Sequence, residues 1–284
     1  MPTTRARPRA SIARRSTAPD DVRSERAPPT TAGAVTDDAE WTTYLERFHA
    51  QAPGVTERML QRSRDGHGHD PYRWAARAVP AAGAVIDVAC GSAPLAEHVD
   101  HDRYLGVDRS AAELGLASHR ATRVVRGDAT ALPLRDGSAA TVTCLMALML
   151  TQPLQSAVAE IARVLRPEGT LVTLLPGRAP DGVTDALRWA AVFAAVGWTA
   201  LRWPNPQTLD KATDWLGEAF TVVVDESRSF AFPVETEVDA RQFVASLYLP
   251  DVSDARRTLA EKVASDWIGD RIGIPLRLIV ARRT

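Results

Sequence analysis

Val85-Ile86-Asp87-Val88-Ala89-Cys90-Gly91-Ser92-Ala93-Pro94 is the stretch on which the fold of this chain turns. Val85, Ile86 and Val88 are short, apolar and β-branched, and predict a strand covered on both faces. Ala89, Gly91, Ser92 and Ala93 carry almost no side chain, so they predict a tight turn against which a ligand can lie close to backbone. Pro94 suits the first turn of a helix, where a missing N–H costs nothing. A strand that turns tightly into a helix leaves free N–H groups facing outward from the carboxyl edge of its sheet. Taken alone, such a turn is an ordinary βα connection.

The sequel makes it more than that. Tyr104-Leu105-Gly106-Val107-Asp108 reads as a second strand ending in an acid, about twenty residues after Asp87, the spacing of a ribose-binding carboxylate. Val124-Val125-Arg126-Gly127-Asp128-Ala129 reads as a third strand, also ending in an acid. Further on, Glu160-Ile161-Ala162-Arg163-Val164-Leu165-Arg166-Pro167-Glu168-Gly169 joins an amphipathic helix to a fifth strand. With Asp87, Gly91, Asp108 and Asp128-Ala129, this segment resembles a class I S-adenosylmethionine-dependent methyltransferase, of the small-molecule type found in quinone and natural-product pathways. The resemblance covers roughly residues 80 to 176. Ala89 and Ala93 stand where that family often has glycine, Ala139-Ala140 where it has a Phe-Asp pair, and Glu168 where a glycine is common.

The resemblance implies an α/β, Rossmann-like, doubly wound sheet of seven strands, mostly parallel with an antiparallel last strand. It implies S-adenosyl-L-methionine as the cofactor. Asp108 would accept the ribose hydroxyls, with Arg109 beside it, and Asp128 would accept the adenine amino group, with the Ala129 N–H facing a ring nitrogen. Ala89 and Gly91 would let the methionine part lie against backbone, Asp87 would fix that turn or receive the ammonium, and Met146 would face cofactor or substrate. By the same resemblance, helices before the first strand fold over the cofactor, and Tyr72 and Arg73 line its methionine end, Arg73 pairing with the carboxylate.

The chain order is consistent with alternating strands and helices. Strands are expected at 84–89, 104–107, 122–127, 141–146, 170–175, 219–225 (onward to 232 with a bend) and 275–282. Helices are expected from Asp37 or Asp38 to Ala50, at 56–62, from Asp70-Pro71, from Pro94, from Ser110 to Arg120, and at 154–165, 182–197, 207–218, 236–247 and 251–266. Residues 1–35, rich in Arg, Pro, Ala, Ser and Thr, read as a disordered tail. Residues 36–80 read as a helical lid, 81–234 with 269–284 as the cofactor-binding domain, and 235–268 as an inserted helical cap.

Net charge is −1 at neutral pH, which announces neither nucleic acid nor a membrane surface. No run is long and apolar enough to cross a bilayer. The two cysteines, Cys90 and Cys144, form no disulfide framework and fit a reducing, cytoplasmic setting. His67 and His69 in the Gly-rich loop before Asp70 are too few for a metal site, and no metal is expected. As general bases for a hydroxyl acceptor, His67, His69, Tyr72 and His49 are the candidates. All seven tryptophans (41, 74, 189, 198, 203, 215, 267) fall outside 80–176, which suits a lid over an apolar substrate or bulky anchors for docking helices. The expected function is methyl transfer to a small molecule. The alternatives are an RNA methyltransferase using the basic tail, or a cofactor-binding protein without transferase activity.

Overall fold

The computed structural model describes residues 38–284 except 121 and 122, so the expected tail at 1–35 and residue 37 lie outside the described residues. Three helices precede the sheet. Helix α1 (Asp38–Gln51) buries Trp41 and Tyr44 and packs Leu45 and Phe48 beside them, the apolar face expected from their spacing. Helix α2 (Val55–Arg62) turns Val55, Met59 and Leu60 inward. Helix α3 (Pro71–Ala76) starts as its sequence predicts: Asp70 caps it, accepting from the Tyr72 and Arg73 N–H groups at 2.9 Å, and Pro71 occupies the first position.

The sheet strands are β1 (Val85–Val88), β2 (Tyr104–Asp108), β3 (Val124–Arg126), β4 (Ala139–Leu145), β5 (Leu165–Pro176), β6 (Phe220–Val234) and β7 (Asp270–Arg283). Their order is β3-β2-β1-β4-β5-β7-β6. Pairing is parallel from β3 through β5, and β7 runs antiparallel to both its neighbours. The chain therefore winds outward from β1 in one direction and from β4 in the other. The reversal between β1 and β4 opens a crevice at their carboxyl ends, the standard seat of a ligand in such sheets.

Helices cover both faces. On one, α5 (Leu154–Val164) and α7 (Ala212–Leu216) join α1 over Val142, Cys144 and Leu171. On the other, α6 (Gly182–Val196), α8 (Glu237–Ala245) and α9 (Asp254–Ser265) pack with α2 and α3 around Trp189, Phe230, Phe232 and Phe243. Helix α4 (Ala111–Ser118) follows β2 and is capped by Ser110. Glu160 and Arg163 of α5 hold the crossing after β3, with Glu160 accepting from the Leu132 N–H at 2.7 Å and Arg163 donating to the Leu134 carbonyl at 2.8 Å.

Three expectations differ from the structure. The helix from Pro94 is a single 3-10 turn, Pro94–Glu97; residues 98–103 turn instead into β2, with Asp100 Oδ1 accepting from the Asp102 N–H at 3.1 Å. The helix expected at 207–218 breaks into Pro206–Leu209, α7 and Gly217–Ala219. There the Asn205 amide donates to the Leu148 and Thr151 carbonyls at 2.8 and 2.6 Å, which ties this segment to the loop after β4. Strand β7 is longer than its expected 275–282, while β6 follows the expected onward course past 232; the two pair from Phe220↔Arg283 to Val234↔Asp270, with one register shift between Val222 and Val224. Helices α8 and α9 occupy the connection at the far end of this hairpin. No helix among the described residues is long and apolar enough to cross a membrane.

The turn after β1 is left-handed at Ala89 (φ 52°), Gly91 (φ 54°) and Ala93 (φ 58°). A left-handed non-glycine residue costs about 1–2 kcal/mol. Ala89→Gly is therefore expected to raise unfolding stability by about 1 kcal/mol, part of the relief being lost to the freer unfolded chain. Denaturant unfolding checks this, and a destabilised variant would contradict it.

Candidate functional site

A cavity of about 800 Å³ opens at the carboxyl ends of β1, β2 and β4, within the range of sites that enclose a cofactor-sized ligand. Its floor is the turn Ala89–Gly91 with Asp108, Asp128 and Ala129, and Leu145, Met146, Ala147 and Leu150 make an apolar wall. Its roof comes from α1 (Leu45, His49), α2 (Glu57), α3 (Tyr72) and Tyr248, which follows α8.

Each acid has its own work. Asp87, in the middle of β1, accepts from Thr143 Oγ1 of β4 at 2.6 Å and from Tyr104 Oη of β2 at 2.7 Å. It links three adjacent strands, and its burial pushes the carboxyl up to about 6 against the pull of those two hydroxyls. Asp108 is 8% exposed and bridges two loops: Oδ2 accepts from the Gly91 N–H and Oδ1 from the Ser110 N–H, each at 2.8 Å. Burial raises its pKa although both N–H groups favour the carboxylate. Asp128 is exposed, and its Oδ1 accepts from the Thr130 N–H and hydroxyl at 2.8 and 2.7 Å. Partial burial opposes its ionisation, but those bonds and nearby Arg109 outweigh it and hold the carboxyl below its usual range. Arg109 itself is exposed and pairs with Glu46 of α1.

The roof is fastened by a fourth acid. Glu113 of α4 is 1% exposed and accepts from the Gly54 N–H with both oxygens at 3.0 Å, and Oε1 lies 2.8 Å from His49 Nδ1. The hydrogen bond to Glu113 raises the His49 pKa against the larger, opposing effect of burial. A fifth acid, Glu57, leans over Gly91. A Cβ added to Gly91 would come within 2.1 Å of Glu57 Oε1, so a side chain there would push the Glu57 carboxyl aside. Glu57 Oε2 is enclosed without a hydrogen-bond partner, although the residue as a whole is only half-buried. Burial, then the neighbouring Glu113 charge, push this carboxyl up to about 7.

The structure thus gathers Asp87, Ala89, Gly91, Asp108, Arg109, Asp128, Ala129, Met146, Tyr72 and His49 around one cavity. It does not bring in Arg73, His67 or His69. Arg73 is on the solvent side of α3, because the buried positions Tyr72, Trp74 and Ala75 fix which face points inward. His67 and His69 sit in a loop organised by Asp65, whose Oδ1 accepts both their N–H groups at 2.9 and 2.8 Å and whose Oδ2 accepts from Arg228 of β6 at 2.8 Å. None of the tryptophans lines the cavity. Trp41, Trp74, Trp189 and Trp215 are buried in the core, and Trp198, Trp203 and Trp267 pack partly buried against it, so they serve as anchors.

Sequence reasoning missed Glu57, Glu113 and Tyr248. Ser110 followed by Glu113 has the spacing of a helix capping box, which hides the acid's true partners. Ser110 does cap the Glu113 N–H at 3.3 Å, but the Glu113 side chain turns to Gly54 and His49 instead of back to Ser110.

Residues 86–173 match the protein family described as a methyltransferase domain. A search of curated proteins finds no match. Among solved structures, the chain is similar to the [4+2]-cyclase SpnF, at 18% identity over 86% of this chain and 92% of that one, with a TM-score of 0.51. It is similar at 18% identity, over 75% and 98% of the two chains and a TM-score of 0.51, to a protein from Bacillus halodurans C-125 described as a candidate methyltransferase. MccD protein is similar at 16% identity over 78% and 99%, with a TM-score of 0.50. At these identities the likeness establishes the fold. The match to a cyclase and to a candidate methyltransferase alike leaves the chemistry to the site.

One pH dependence follows from Asp87. Its pKa is raised from 3.8 unfolded to about 6 folded, so the stability it contributes is present below 3.8 and is lost as pH rises through about 6. Asp87→Asn, whose amide accepts from one hydroxyl and donates to the other, is expected to flatten the fall in stability across that window. Urea unfolding at a series of pH values measures it, and an unchanged profile would show that Asp87 titrates normally.

Proposed function

We propose that this chain, whose residues 86–173 match a methyltransferase domain, is a class I S-adenosylmethionine-dependent methyltransferase and transfers the methyl group to a small, largely apolar acceptor. The observation that supports this most is the joining of Asp108, the Gly91 turn and Asp128 along one edge of a cavity whose other wall is apolar. Two carboxylates at the tips of adjacent strands, β2 and β3, offer acceptors for a ribose and for an exocyclic amine. The small side chains at 89–91 admit the rest of the molecule to backbone.

S-adenosylmethionine brings an activated methyl group on a sulfonium. The protein's part is then to orient and to exclude water, and these supply most of what an in-line displacement needs. Asp108 and the Gly91 N–H orient the nucleoside half. Helix α1 and the bend into α2, held by Glu113 and by the Arg109–Glu46 pair, close the top of the cavity together with Tyr72 of α3. Leu150, Met146 and Leu45 form the surface toward which an apolar acceptor would partition. Tyr248, flanked by Phe48 at 4.7 Å between ring centroids, adds an aromatic face. For a hydroxyl acceptor, His49 is the base the cavity offers, its ring oriented through Nδ1 by Glu113. A cytoplasmic setting fits the two free, buried cysteines.

The test is acceptor-dependent formation of S-adenosylhomocysteine across a panel of apolar hydroxyl- and amine-bearing small molecules. Turnover with such a molecule supports the proposal, and turnover with RNA alone contradicts it. For the cofactor contact, Asp108→Ala is expected to weaken S-adenosylmethionine binding at least about tenfold, since a hydrogen bond to a charged group is worth about 1.5–3 kcal/mol. Calorimetry giving unchanged affinity in a variant with a normal melting transition would remove Asp108 from the site.

A further inference from the structure

The carboxyl groups at the cavity are nearly all spoken for. Asp87 accepts from Thr143 and Tyr104 and Glu113 is bonded to Gly54 and His49, while Asp108, which accepts from the Gly91 and Ser110 N–H groups, keeps a second lone pair on each oxygen for the ribose. Among the described residues, Glu57 Oε2 is the one enclosed carboxyl oxygen without a hydrogen-bond partner. It belongs to a side chain that lines the cavity and rests directly over the Gly91 turn. An enclosed carboxyl left without a partner costs free energy until something fills that role. Asp87, the acid that the resemblance offered to the cofactor's ammonium, has both oxygens occupied by hydroxyls from the flanking strands.

We propose that Glu57 is the receptor for the cationic end of S-adenosylmethionine and that it releases its proton to solvent when the cofactor binds. This rests on the cofactor assignment above and adds to it a residue and a proton. The groups facing Glu57 come from every neighbouring element: His49 from α1, Tyr72 from α3, Cys90 and Asp108 from the tips of β1 and β2, Glu113 from α4, and Tyr248 from the segment after α8. Of these, the two other carboxyl groups oppose ionisation of Glu57 and His49 favours it. No side chain of fixed positive charge is among them. A ligand cation is therefore what the cluster lacks, and its arrival favours the carboxylate. Only the O–H bond of Glu57 breaks, its proton passes to the buffer, and no covalent bond forms to the carboxylate.

The charge change on reaction gives this contact a direction. S-adenosylmethionine carries a sulfonium and an ammonium beside one carboxylate, whereas S-adenosylhomocysteine has lost the sulfonium charge. Glu57 therefore holds the donor more firmly than the product, and part of its proton returns once the methyl group has gone.

Isothermal titration calorimetry at pH 7 in phosphate and in Tris counts the protons exchanged. With Glu57 at about 7 in the free protein, binding of S-adenosylmethionine is expected to release about half a proton. S-adenosylhomocysteine is expected to release less. In Glu57→Gln the release with either ligand falls to near zero, and the preference for donor over product falls by about tenfold. Infrared difference spectra provide a second readout: a protonated-carboxyl stretch disappears on binding in the wild type and is missing from the Glu57→Gln difference spectrum. If both ligands bind and the proton count is the same in wild type and Glu57→Gln, the role of Glu57 is overturned and the cofactor assignment survives. If the wild type binds neither ligand, the cofactor assignment fails and the role of Glu57 goes with it.

Discussion

The carboxylate of Glu113 is the constraint from which the site follows. It is nearly inaccessible, and it accepts from the Gly54 N–H at the bend between α1 and α2 while it holds His49 at the end of α1. Burying a charge is costly unless it is hydrogen-bonded, so the acid and the bend stabilise each other or neither forms. The consequence is spatial. Helices that could lie anywhere on the surface are fixed above the carboxyl edge of the sheet, and the crevice between β1 and β4 becomes a roofed cavity.

Beneath that roof the sheet supplies the rest by topology. Parallel strands deliver their last residues to one edge, so Asp108 reaches the Gly91 N–H from the neighbouring strand and fixes the turn that β1 leaves behind. Asp87 is placed one strand layer deeper and acts on the sheet itself, joining β1 to β2 and β4 through Tyr104 and Thr143. Aspartate at 87 and aspartate at 108 therefore do different work. Position along the strand decides which: the mid-strand acid meets side chains of adjacent strands, and the tip acid meets the loops.

How much of this could be read from the sequence depends on the range of the interactions involved. Strand β1 and the second half of β5 are buried on both faces, and their Val, Ile and Leu say so directly, whereas β4 is buried through Ala, Thr, Val and Cys. The Asp70-Pro71 start of α3 and the Ser110 cap of α4 are local chemistry and equally legible. Strand β6 was legible less directly, because its middle, Asp225-Glu226-Ser227, is exposed and polar and suggests a bend within the strand. Its extension is set by pairing with β7, some fifty residues away, and not by its own composition. The cavity floor at Gly91, Asp108 and Asp128 was legible from spacing. The roof was not. Glu57 and Glu113 lie on helices where an acid ordinarily faces water, and nothing in their neighbourhoods announces partners on other elements. The tryptophans allowed two readings, a substrate lid or anchors for docking helices, and the core takes them as anchors.

The account's central claim is that the cofactor enters between the Ala89–Gly91 turn and the roof formed by α1 and α2. Hydrogen–deuterium exchange of the full chain with and without S-adenosylmethionine tests it most directly, since it reads each backbone segment without altering a residue. The account predicts slower exchange confined to residues 89–93, the start of α4 and the bend at 52–58, with the β6–β7 hairpin unchanged. Protection concentrated on that hairpin or on α8 and α9, with the 89–93 turn unaffected, would contradict it.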